Sequence, residues 1–90
     1  MYNYEIKPSL RDILRKLSKK DNILYKFTLK KIEEIINSES IEHYKNLRHN
    51  MKDYKRVHIG HFVLIFSYNE KFNLISFEDF EHHDKIYQIK

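Results

Sequence analysis

The sequence predicts an α+β fold, two helices packed on one face of an antiparallel sheet, and three observations predict it. The chain opens on a short alternating run. Two amphipathic stretches at helical spacing follow, each with one apolar stripe that a sheet face can bury. Three strand-like runs joined by tight turns then close the chain, so the order is strand, helix, helix and a three-stranded meander.

Tyr2, Tyr4 and Ile6 alternate with Asn3, Glu5 and Lys7, the pattern of a first strand with one buried face. Pro8 and Ser9 start the first helix. Ser9 is placed to cap it, Asp12 completes a capping-box-like arrangement, and Leu10, Ile13, Leu14 and Leu17 form its stripe. Arg11, Arg15, Lys16, Lys19 and Lys20 lie off that stripe and give the helix a basic outer surface. Asp21 and Asn22 punctuate the chain, after which Tyr25, Leu29, Ile32 and Ile36 repeat at helical spacing up to Asn37. The short connection favours an antiparallel helix hairpin. Residues 38–44 read as a loop, and nothing regular shows through Asp53.

Residues 54–68, YKRVHIGHFVLIFSY, read as a β-hairpin. Arg56 and His58 share one face of its first arm, and Val57 and Ile59 share the other. Gly60, the sole glycine, falls at the turn, where a positive φ is needed. Residues 62–66 carry no polar interruption, as expected of a central strand covered on both faces. Asn69, Glu70 and Lys71 form a polar turn, and residues 72–77 make the next antiparallel strand. The final run, FEHHDKIYQIK, is a helical turn or a brief strand. With Val57 and Ile59 toward the helices, Arg56 and His58 lie on the opposite, cationic face.

Ninety residues suffice for one domain over 1–90 and leave no room for a second. The apolar share of 41% argues against disorder, yet no apolar stretch reaches membrane-span length and the start is unlike a signal peptide, so the expected location is the cytoplasm. With no cysteine, disulfides, thiol nucleophiles and thiolate zinc sites are excluded together. His58, His61, His82 and His83 lack a zinc-type spacing, so no metal site is expected. The net charge of +4 is uneven: Lys and Arg crowd the chain up to Arg56, while Glu78, Asp79, Glu81 and Asp84 cluster near the end. Such a basic surface suits phosphate or an acidic partner, and a solvated lysine-rich helix face accounts for it equally well.

The element order, the Asn46, Leu47, Arg48 triplet, YKRVHIGHF from Tyr54, the apolar strand after it and HHDKIY ending at Tyr87 together resemble the RelE/ParE toxin superfamily, specifically its RelE-like branch of messenger-RNA-cleaving toxins. The likeness covers nearly the whole chain. It implies the toxin of a type II toxin–antitoxin system, held in a heteromeric complex by an acidic, RelB-like antitoxin. When free, such a toxin is a ribosome-dependent endoribonuclease that cleaves messenger RNA in the A site through the RNA's own 2′-hydroxyl, with no metal or cofactor. A ParE-like, non-enzymatic poison of DNA gyrase on the same fold is the alternative, and an inactive binding module a third.

By this resemblance Arg56 and His58 match two basic residues on the first hairpin arm, with Arg56 holding the scissile phosphate. His58 donates to the phosphate or exchanges a proton near neutral pH. Tyr87 matches a tail tyrosine that stacks on a base and takes part in proton transfer; anchoring the chain end is its structural alternative. His83 stands where the tail often has arginine and completes the catalytic set of Arg56, His58, His83 and Tyr87. RNA contact falls to Arg48, Lys52, Lys55 and His82. Val63 departs from the pattern, since that register often carries an arginine, and Asp79 and Glu81 bring negative charge toward the same face.

Overall fold

Pro8 sets where the first helix begins. The structure, a computed structural model, describes residues 2–47 and 53–86. Helix α1 (Pro8–Lys20) takes Pro8 in its first turn, where the missing N–H costs nothing, and Lys7 is its extended N-cap. Ser9 therefore lies inside the helix instead of capping it, and Asp12 pairs with Arg15. The expected capping box is not formed because proline already fixes the helix start and forces the preceding residue out of helical geometry. Asp21 ends α1 and caps α2 (Asn22–Ile36): its N–H donates to Leu17 O at 2.8 Å, and its side chain accepts from Leu24 N at 3.1 Å.

The four strands β1 (Asn3–Ile6), β2 (Tyr54–Ile59), β3 (Phe62–Asn69) and β4 (Leu74–His82) form one sheet in the order β1-β4-β3-β2. The last three make the expected meander, and the helix pair is the crossover that lets β1 run parallel to β4. As an edge strand, β1 buries less than its alternation suggested, with Tyr4 exposed. Gly60 has φ +61° and His61 does not share the positive sign, the pattern of a two-residue type II′ turn. The second turn is longer than expected. Asn73 takes φ +51° and Phe72 stays exposed, so β4 begins at Leu74 and continues to His82.

The helices cover one sheet face. Leu10, Ile32 and Ile35 pack there against Leu64, Phe66 and Phe77. On α2 the buried line runs through Thr28, Ile32, Ile35 and Ile36, and Leu29 points outward, one position off the stripe expected from sequence. Thr28 tolerates this burial because its hydroxyl donates to Leu24 O at 2.8 Å. Strand β3 is the central strand and is apolar on both faces. Its outer face, Val63 and Ile65, is covered by Leu47 and by Ile86 of the terminal turn α3 (His83–Ile86).

Between α2 and β2 the chain forms a 3₁₀ turn (Ile41–His43) and then runs along the free edge of β2. Leu47 N donates to Tyr54 O at 2.7 Å, Arg56 N donates to Lys45 O at 2.9 Å, and Asn46 bridges to Lys55. This segment read as patternless in the sequence. Ile41 ties it to the core, buried there with its N–H donating to the Tyr2 hydroxyl at 3.0 Å.

Candidate active site

Alternation along β2 sends Val57 and Ile59 into the helix-side core and leaves Arg56 and His58 on the opposite face. There the edge segment holds Arg56: its Nε donates to Asn46 O at 3.0 Å, which aims the guanidinium along the strand edge. His58 meets the terminal turn. Its ring lies 5.4 Å from that of His83, tilted by 36°, and His83 N donates to His61 O at 2.8 Å to fix the start of α3. Three of the four residues expected to be catalytic thus come from two distant places in the sequence to one patch. The fourth, Tyr87, lies outside the described residues, as do Arg48 and Lys52.

Beside this patch a cleft of about 330 Å³ is lined by His43, Tyr44, Lys45, Arg56, Val57 and His58. Its charged lining is basic throughout. Partial burial pushes the His58 pKa below the usual histidine value, and the positive charges of Arg56, His83 and Lys45 push it the same way. The lowered pKa favours the neutral imidazole, the form able to accept a proton. Lys45 and Asn46 were missed in the sequence. Asn46 belongs to the triplet that carried the family resemblance, but it is its main-chain oxygen that holds Arg56, which no residue pattern reports.

Two residues expected at the RNA surface stand elsewhere. Lys55 is on the other face of β2, and its Nζ donates to Tyr44 O at 3.3 Å and Asn46 Oδ1 at 3.1 Å, tying down the edge segment. His82 is the last residue of β4 and pairs with Phe62 on the helix side, with its ring edge-on to Phe62 at 5.5 Å and stacked near His61 at 6.2 Å. His82 and His83 diverge because the strand ends between them. On the site face, Val63 lies directly across from His58 and is fully buried. The acidic pair is turned back on its own backbone: Asp79 accepts from Phe80 N at 2.8 Å and Glu81 from His82 N at 3.0 Å. Among the described residues, no group of three or more His, Asp or Glu side chains is arranged to hold a metal ion, and no helix is long and apolar enough to cross a membrane.

No protein-family profile matches the chain. A protein of Methanocaldococcus jannaschii named as a RelE4 toxin is 53% identical over 91 residues, covering 100% of this chain and 95% of its own. The isolated RelE toxin of E. coli superposes with a TM-score of 0.74 at 15% identity over 100% of both chains. The archaeal RelE of the RelE–RelB complex from Pyrococcus horikoshii gives 0.68 at 18% identity, over 91% of this chain and 94% of its own. At such identities the two structures speak for the fold. The full-length likeness to the M. jannaschii protein speaks for descent, and by it this chain belongs to the RelE toxin family.

Proposed function

We propose that this chain is a ribosome-dependent, metal-independent endoribonuclease that cleaves messenger RNA in the A site. The observation that carries this reading is the meeting of Arg56, His58 and His83 at one edge of a basic cleft that also holds Lys45. Neutral His58 takes the proton from the 2′-hydroxyl, whose oxygen attacks the adjacent phosphorus. Arg56 and Lys45 stabilise the charge that builds on the phosphoryl oxygens. The bond from phosphorus to the 5′-oxygen then breaks, and His83 donates the proton that this oxygen takes up. The products are a 2′,3′-cyclic phosphate and a free 5′-hydroxyl.

Its partner, on this reading, is an acidic antitoxin of the RelB type. The P. horikoshii neighbour crystallised with RelB, and the exposed Arg11, Lys16, Lys19 and Lys20 of α1 give this chain a cationic flank to match. The test is purified protein added to ribosomes carrying a defined message. Cleavage within the A-site codon, ending in a cyclic phosphate and absent without ribosomes, is expected. Intact message at full ribosome occupancy overturns the reading.

A further inference from the structure

Val63 stands where the family pattern led us to expect a cation, directly across the hairpin from His58, with none of its surface exposed. It packs in a small cluster with Ile65, Ile86 and the half-buried Leu47, on the sheet face opposite the helices. Without Ile86 this apolar strip of β3 would face water, so burial draws α3 onto the sheet. A single helical turn has no stability of its own. The position of α3 is therefore set by what its two ends hold: His83 N on His61 O at one end, and Ile86 in the cluster at the other. Between those anchors the His83 ring is brought to 5.4 Å from His58.

We infer that Val63, Ile65 and Leu47 form a socket for Ile86 that holds α3 down and His83 against His58, which makes Val63 a positioning residue and not a gap left by a lost cation. An arginine at this position would either desolvate its guanidinium beneath Ile86, with only the Glu81 carboxylate across the strand to pair it, or lift α3 off the sheet. A cation and a tail socket are thus alternatives at one position, and this chain has taken the socket. The charge that an arginine would supply to the phosphate comes instead from the far side of Arg56, where Lys45 lines the cleft.

The inference rests on the ribonuclease reading, and its test separates the two. Val63→Arg, Val63→Ile and Ile86→Ala are compared with wild type by NMR, following the contact between the His58 and His83 rings and the titration of each, and by single-turnover cleavage on programmed ribosomes. Val63→Arg and Ile86→Ala are expected to lose the ring contact, and Ile86→Ala, which adds no charge beside the ring, is expected to move the His58 titration up toward the ordinary histidine value. They are also expected to lower the cleavage rate by on the order of 10²-fold with little change in KM. Val63→Ile keeps the contact, the titration and the rate. A faster Val63→Arg, or an Ile86→Ala with the ring contact intact, overturns the inference. Should Val63→Arg fail to fold, Ile86→Ala decides alone, since its substitution removes bulk at the periphery and buries no charge. A wild-type protein that leaves message uncut defeats the ribonuclease reading, while ring contact and titration still decide the socket.

Discussion

Replacing Arg56 separates two effects that its position combines. The guanidinium is aimed by the 3.0 Å bond from Nε to Asn46 O, and its charge helps keep His58 deprotonated. Arg56→Ala removes both aim and charge. Losing one preorganised cationic donor to a charged transition state costs about 2.7–4 kcal/mol, a fall in kcat of roughly 10²–10³. Arg56→Lys keeps the charge but has no Nε for Asn46 and no planar fork, so it forfeits about one charge-assisted hydrogen bond, roughly 1.5–3 kcal/mol or about 10–10² in rate. The titration of His58 tells the two variants apart. Removing a nearby positive charge makes protonation of His58 easier, so its pKa rises in Arg56→Ala, whereas the Lys variant holds it down. If His58 is the base, as proposed, the acid limb of the pH–rate profile moves to higher pH in the Ala variant alone. The assays are single-turnover cleavage across pH and NMR titration of His58. A His58 pKa unmoved in Arg56→Ala, or equal rates for the Ala variant and wild type, would refute the reasoning.

Lys45→Ala is expected to slow cleavage by about tenfold or more, the equivalent of one charge-assisted contact, while Glu81→Gln changes the rate by less than about threefold; the same single-turnover assay reads both. Acidification should weaken the fold through His58: the folded pKa lies below the ordinary value of 6.5, so the unfolded chain binds more protons as pH falls through it. Urea midpoints should therefore drop between about pH 7.5 and about pH 5.5 and drop less in His58→Gln. Phe66→Ala empties the centre of the core, where the ring is wholly buried between Tyr44 and Phe77. A loss of about 3–5 kcal/mol follows, seen as a fall in Tm of at least about 12 °C. Gly60→Ala meets no atom within 4 Å but keeps a φ of +61°, so it should lose about 1–3 kcal/mol in urea unfolding from backbone strain alone.

The hairpin and the site face were legible because strand alternation is a local rule: once Val57 and Ile59 face the helices, Arg56 and His58 must face away. Gly60 marked the turn for a similarly local reason, its positive φ. What stayed hidden depends on contacts distant in sequence. Residues 45–47 show no periodicity, and their role as a cover for the edge of β2 exists only once β2 is in place. On α2 the expected Ile32 and Ile36 are buried and Tyr25 packs against the core, but Leu29 gives way to Thr28 because Ile23, Leu24, Phe27 and Leu29 leave the helix apolar around much of its circumference, while the buried Thr28 is polar. His82 and His83 could not be assigned to faces without knowing where β4 stops. The parallel pairing of β1 with β4 follows from the helical crossover and leaves no trace in β1 itself.

The placement of charge across the sheet gives Val63 a second consequence. The cations Arg56 and His58 are on β2, the carboxylates Asp79 and Glu81 on β4, and β3 runs between them. Two strand spacings amount to about 10 Å, close to one Debye length at physiological salt. The intervening strip is Val63 and Ile65 under Ile86, an apolar cluster that offers a phosphate no side-chain donor. On the proposed ribonuclease reading, an RNA backbone is expected off the middle of the sheet, at the outer side of β2 where Lys45 lines the cleft. The acidic end of the chain, which argued against a phosphate site when charges were counted along the sequence, lies across an apolar divider from it. Had position 63 carried a cation, the positive region would have extended across the hairpin toward Glu81, its partner on β4, and a carboxylate there would compete with phosphate for the charge. On the proposed reading, a valine at this point confines the phosphate site to one edge.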